Sequence, residues 1–306
     1  MIIADHICKD FDTTRVLSDM SCTIPKGCIY GLVGANGAGK STFLRILTGV
    51  YKPDGGTATI DGEPVYDNPR VKARLAFVAD ELYFLPQSSM ERMAGFYAAN
   101  YSAFDRGKFG SLTGMFKLDP KANLNQFSKG MRRQAALILA LSTKPDYLFM
   151  DETFDGLDPV MRNLVKNIIY ADICERNATA VITSHSLREL EDTCDQLALL
   201  YDGGIIFESD VDNLKTSLLK AQIVFSREDD KEVLKDAEVL DLKEQGSVVN
   251  VIIRGDKQEF SNKINALAPP LFEMIPLTLE EVFIHEMEAL GYAFDDALGM
   301  QRGDEQ

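Results

Sequence analysis

The sequence is short of positive charge, of paired cysteines and of long apolar runs. Its 306 residues carry 32 lysines and arginines against 47 aspartates and glutamates, a formal charge of −15. A dedicated DNA or RNA binder needs a basic footprint, so this balance argues against nucleic acid as a partner. It leaves room for an anion in one local pocket. A membrane-spanning helix needs about 18 or more apolar residues in a row, and the longest run, Ala135–Leu141, is far shorter. The opening residues Met1 to His6 lack the basic region and apolar stretch of a secretory leader. The cysteines, Cys8, Cys22, Cys28, Cys174 and Cys194, are odd in number, scattered and without a CxxC pair. Reduced thiols and no metal framework are therefore expected. Internal repeats and low-complexity segments are also absent. What is present is enough apolar side chain for a packed core, 45% of residues, and enough length for one large domain or two smaller ones.

The strongest pattern comes early. Cys28 to Val33 reads as a buried strand, and Phe43 to Leu47 has helical character. Between them runs Gly34-Ala35-Asn36-Gly37-Ala38-Gly39-Lys40-Ser41-Thr42. Strand, GxxxxGK[ST] and helix together are the context of a phosphate-binding loop. Glycines let the backbone wrap a polyphosphate and aim N–H groups at it. The helix adds its positive end. Lys40 would meet the terminal phosphates, and Ser41 offers a hydroxyl to Mg²⁺. A second apolar run, Tyr147 to Met150, ends in Asp151-Glu152. Carboxylates at the end of a buried parallel strand fall in the crevice where such sheets bind ligands. Asp151 would hold Mg²⁺ through water, and Glu152 would position or deprotonate an attacking water.

A third pattern lies between these. Phe127-Ser128-Lys129-Gly130-Met131 precedes an apolar helix that Ser128 would cap. With it, the sequence resembles the ATP-binding subunits of ABC transporters, whose signature usually reads Leu-Ser-Gly-Gly-Gln. The serine and second glycine are kept, and three positions depart. The resemblance spans residues 1–215 and implies ATP and Mg²⁺ as ligands. It implies that Ser128, Lys129, Gly130 and Met131 meet the γ-phosphate of an ATP held by an opposite subunit. It makes Asp158, in Phe154 to Pro159, the aspartate of the loop that touches across a dimer. It makes His185, after the buried strand Ala180 to Ser184, the switch histidine that reaches the γ-phosphate and bridges to Glu152. Phe11 falls where the family stacks an aromatic ring on adenine. After Leu75 to Ala79 the family usually has a glutamine near Mg²⁺; here Asp80 stands there, an anion added beside Glu152.

The expected fold is α/β: a P-loop ATPase core in residues 1–215, with a helical subdomain over about 84–126. Met90, Met93, Phe96 and Tyr97 recur at helical spacing there, a stripe expected to pack in the core. A small α/β domain is expected over 216–290. It should have strands at Gln222–Phe225 and Ser247–Ile253 and helices at Gln258–Leu267 and Thr278–Ala289, the last capped by Thr278 with Glu281. Residues 291–306 read as an acidic mobile tail. The resemblance implies an ATPase subunit that dimerises, with itself or a related ATPase. It implies docking on separate transmembrane subunits at the cytoplasmic face of the membrane. The segment Leu277 to Phe283 resembles the C-terminal segment of ATPase subunits from single-cassette ABC exporters, and that resemblance implies export. Alternatives are a soluble ATPase remodelling ribosomes or DNA, or a nucleotide-dependent switch. The single cassette, the acidity and the presence of Glu152 weigh against them.

Overall fold

The computed structural model describes residues 1–289, so the acidic stretch 291–306 lies outside the described residues. The chain divides into two compact units, Met1–Glu208 and the residues from Ser209 onward.

The first unit is built on ten strands. They are β1 (Ile2–Phe11), β2 (Thr14–Ile24), β3 (Ile29–Val33), β4 (Gly55–Ile60), β5 (Glu63–Pro64), β6 (Leu75–Val78), β7 (Tyr147–Asp151), β8 (Thr179–Ser184), β9 (Gln196–Tyr201) and β10 (Gly204–Asp210), whose last residues run into the second unit. Six of them form one sheet in the order β10-β9-β3-β8-β7-β6. Strand β3 runs parallel to β8 and β9, and β7 runs parallel to β6 and β8. Strands β3, β7 and β8 are buried at every position. A strand covered on both faces has no polar side to alternate with, which is why these segments read as unbroken apolar runs. The other four pair in the order β2-β1-β4-β5, antiparallel.

The helices of this unit are α1 (Lys40–Leu47), α2 (Pro69–Lys72), α3 (Met90–Asn100), α4 (Arg106–Met115), α5 (Lys129–Ser142), α6 (Pro159–Arg176) and α7 (Leu187–Leu190). The expected core stripe on α3 holds in part. Met90 and Met93 are buried, whereas Phe96 is 50% exposed. The buried face of α3 follows Met90, Met93 and Ala94 at the i, i+3, i+4 spacing of one helix face, and Phe96 at i+6 falls off it. No disulfide forms among the described cysteines, and burial pushes the Cys22 thiol up to about 12.

The second unit contains α8 (Val211–Ser217), β11 (Leu218–Val224), β12 (Glu238–Gln245), β13 (Val248–Arg254), α9 (Lys257–Asn265), β14 (Leu271–Ile275) and α10 (Leu279–Ala289). Its strands make an antiparallel sheet in the order β12-β13-β11-β14. Alternate residues Leu219, Ala221 and Ile223 of β11 and Val249, Val251 and Ile253 of β13 share one apolar face, closed by Phe260 and Ile264 of α9. That is the period-two pattern of a half-buried sheet. Helix α10 opens on a reciprocal cap. Glu281 N–H donates to Thr278 Oγ1 at 3.2 Å, and Thr278 N–H donates to Glu281 Oε2 at 3.0 Å.

Candidate phosphate-binding site

The turn from β3 into α1 is shaped by glycines that nothing larger could replace. A Cβ on Gly34 would lie 2.4 Å from the carbonyl oxygen of Leu200. Gly39 has φ +107°, and its Cβ would lie 2.7 Å from Leu17 Cδ2. The loop is thus pressed against β9 and β2 at its ends. Its tip, Asn36 and Gly37, is exposed. No side chain caps α1 and no acid sits in its first turn. The N–H groups there are left for an anion. Lys40 is 5% exposed. Its ammonium donates to the carbonyl oxygens of Gly34 at 2.6 Å and Ala35 at 3.1 Å, and stands 3.2 Å from Glu152 Oε1.

The carboxylates sit where β7 ends. Asp151 is fully buried and paired in register with Thr183 of β8. The Thr183 hydroxyl donates to Asp151 Oδ1 at 2.7 Å and accepts from Glu152 N–H at 3.1 Å. Asp151 Oδ2 has no hydrogen-bond partner, the only such buried carboxylate oxygen among the described residues. A buried anionic oxygen left bare is costly unless a cation or donor completes it. The donor set therefore fits a hard cation, with Asp151 and the Ser41 hydroxyl as its oxygens. Glu152 adopts φ 46°. Its Oε2 lies 2.9 Å from His185 Nδ1, so Glu152 stands between Lys40 and His185. The ends of β3, β7 and β8 thus bring Lys40, Asp151, Glu152 and His185 to one place.

The remaining candidates gather elsewhere. Ser128 caps α5, its hydroxyl accepting from Met131 N–H at 3.2 Å. Lys129 pairs with Asp155 at 2.8 Å and holds that carboxyl below its usual range. A Cβ on Gly130 would stand 3.2 Å from the carbonyl of Gly156. So in one chain the signature segment lies beside the loop before Asp158, which itself caps α6 through Val160 and Met161. Phe11, at the end of β1, meets the Tyr51 ring edge-on at 5.5 Å, with Lys9 Nζ 5.4 Å from its centre. Ser41 and Thr42 are half-buried in the first turn of α1, and Ala38 is half-buried before it. Asp80 accepts a hydrogen bond from Arg133 of α5. Neither Arg133 nor Thr183 was anticipated. The one available signal for Arg133 was a basic residue at the threshold of an apolar helix.

A glycine-bound phosphate loop facing an Asp-Glu pair across a parallel sheet defines a P-loop nucleoside triphosphatase. Residues 17–155 match the family described as ABC transporter. The chain is 29% identical over 284 residues to the ABC transporter ATP-binding protein YtrB of Bacillus subtilis, covering 93% of this chain and 97% of that one. It is 31% identical over 233 residues to the Nod factor export ATP-binding protein I of Cupriavidus pinatubonensis, covering 74% and 71%. In fold it matches a dimeric ATP-binding cassette in a post-hydrolysis state with ADP and Pi, at 20% identity and TM-score 0.64, covering 69% of this chain and 99% of that one. The chain belongs to the ATP-binding protein family of ABC transporters. It is an ATP-binding, ATP-hydrolysing subunit.

Proposed function

We propose that this chain hydrolyses ATP at the Lys40–Glu152–His185 cluster and couples the reaction to export by separate transmembrane subunits, at the cytoplasmic face of the membrane. The observation that carries the reading is the placement of Glu152 between Lys40 and His185, beside the bare oxygen of Asp151. Gly34, Asn36, Gly37, Ala38, Gly39, Lys40, Ser41 and Thr42 wrap the phosphates, and Phe11 offers a ring to adenine. Mg²⁺ would supply positive charge against the phosphate oxygens, held by Ser41 and Asp151. Asp80 Oδ1 accepts from Arg133, so the donor set proposed here is drawn from Ser41 and Asp151. Glu152 accepts the proton of the attacking water, and His185 orients it. Two copies, or this chain and a related ATPase, would complete each site with Ser128, Lys129, Gly130 and Met131 of the opposite subunit, Asp158 lining the contact. The export direction is supported by the Nod factor relative's printed role.

Glu152→Gln tests the chemistry. Binding of ATP should persist and turnover should fall by about 10²–10⁴-fold, the usual cost of losing a placed general base. An ATP-trapped dimer should accumulate on a sizing column, and near wild-type turnover would refute the assignment. For the docking surface we propose the segment Leu82 to Leu85. Tyr83 is 79% exposed, whereas Phe84 is half-buried with the Arg132 guanidinium 5.6 Å from its ring. Tyr83→Ser should leave nucleotide binding intact and reduce co-purification with membrane subunits. Undiminished co-purification would remove this segment from the interface.

A further inference from the structure

Arg133 heads the largest fully buried side chains among the described residues, although it belongs to the first turns of α5. One of its terminal nitrogens, Nη1, donates to the backbone oxygen of Glu152 and, at 2.7 Å, to that of Asp155. The other, Nη2, donates to Asp80 Oδ1. The Asp155 carboxylate lies 3.8 Å away and already serves Lys129 at 2.8 Å. Asp80 is therefore the nearest anion to a buried cation, and such a cation is strongly destabilising without one. The planar guanidinium fork presents donors on separate terminal nitrogens, so one side chain reaches acceptors on different segments. It ties three segments together: the loop after β6, helix α5 and the turn after β7.

That turn needs tying. Glu152 has φ 46°, a left-handed conformation that a side chain disfavours. Its N–H is held by Thr183 and its carbonyl by Arg133. We infer that Arg133, with Asp80 as counterion, is a positioning residue that fixes Glu152 to accept the proton of the water that attacks ATP. The inference rests on the reading of Glu152 as the catalytic carboxylate. It accounts for the acid at position 80, where the family usually carries glutamine. A glutamine there would leave the guanidinium without its nearest anion.

The test is steady-state ATP hydrolysis by the purified full chain, wild type against Glu152→Gln, Asp80→Gln, Asp80→Asn, Arg133→Gln, Arg133→Lys and the double Asp80→Gln/Arg133→Gln. Displacing a reacting group by an ångström costs about 10²-fold. Asp80→Gln and Arg133→Gln should each lower kcat by up to that factor. The KM for ATP should stay within about twofold, since ground-state binding is untouched. The Mg²⁺ midpoint should not move. Arg133→Lys should not rescue. The double variant should be no slower than Arg133→Gln alone, because both changes break one contact. If Arg133→Gln does not fold by circular dichroism, the half-exposed Asp80 variants carry the test through the same kcat, KM and Mg²⁺ readings. Wild-type kcat in Asp80→Gln, a shifted Mg²⁺ midpoint with kcat preserved, or multiplicative losses in the double variant would each overturn the inference. Wild-type turnover in Glu152→Gln would instead overturn the reading beneath it. An inactive Glu152→Gln beside an unimpaired Asp80→Gln would sink this proposal alone.

Discussion

The two units handle polarity in opposite ways. Every buried polar or charged residue among the described ones falls in the first unit, from Lys40 to Thr193. The second unit keeps its charges towards water as pairs: Lys231 with Glu244 at 2.9 Å, Lys263 with Glu259 at 2.8 Å. Burying a polar group is costly unless something answers it. The first unit bears that cost with Lys40, Asp151 and Arg133, which lie in or beside the turns proposed to meet ATP. The second unit has an apolar core and a solvated rim. The sheets follow the same division. Parallel strands buried on both faces bring their ends to one edge, while the antiparallel sheet of the second unit spreads its chemistry along its faces.

The sharpest break in this comparison is expected from the buried aromatics. Phe149 lies in β7 just before Asp151, and Phe260 closes the core of the second unit. Each cut to alanine should cost about 3–5 kcal/mol of local stability. Only Phe149→Ala should abolish ATP binding, read by nucleotide-induced rise in melting temperature. Loss of that rise in Phe260→Ala would mean the site depends on the second unit. Next comes a division within the first unit. Lys40 already holds backbone carbonyls and Glu152, so it is available to ATP in the ground state. Lys40→Ala should weaken ATP binding by roughly 1.5–3 kcal/mol, the worth of a charge-assisted contact. His185→Ala should slow turnover more than it weakens binding. Titrations in which His185→Ala binds worse than Lys40→Ala would reverse these roles.

The smallest effect is expected in the second unit, at Glu281. Burial pushes its carboxyl up, but Lys220 at 2.5 Å and the Thr278 N–H together hold it below the ordinary range. A carboxylate depressed on folding adds stability above its unfolded pKa and loses it as pH falls through the folded value. Glu281→Gln should thus lower stability near neutral pH by up to about 1 kcal/mol. The difference should vanish in acid, once the carboxyl is protonated. A pH-independent difference in thermal melts would assign Glu281 a packing role instead.

How much was legible in advance follows from how many residues a feature constrains. The phosphate loop needs glycines, a lysine and a hydroxyl at fixed spacing, and it can be read without a structure. The Asp151-Glu152 pair was legible because a four-residue apolar run ended abruptly in charge. Helix α10 announced itself by Thr278 and Glu281, whose reciprocal cap is a sequence pattern. Strand β12 was not foreseen, because it is mostly exposed and rich in charge, and β14 was not foreseen because its five residues are too short a run to show a period. Arg133 was invisible for another reason. Its partners, Asp80, Glu152 and Asp155, come from two other segments, and two of its three acceptors are backbone oxygens that any residue would supply. Phe96 shows the limit of periodicity, since a residue one step off a helical stripe looks the same in a list of apolar positions.

The φ of 46° at Glu152 has a consequence for how this protein can change. Glycine or asparagine would suit that backbone better, since L side chains in the left-handed region cost of order 1 kcal/mol or more. Neither can reach Lys40 and His185 with a carboxylate. The residue that best fits the turn and the residue that fits the reaction are therefore different residues. Selection for sturdiness alone would drift away from glutamate here, so on the catalytic role proposed for Glu152 its presence is a stability sacrifice kept by that role. Engineering that relaxes this turn would yield a firmer chain and a silent one.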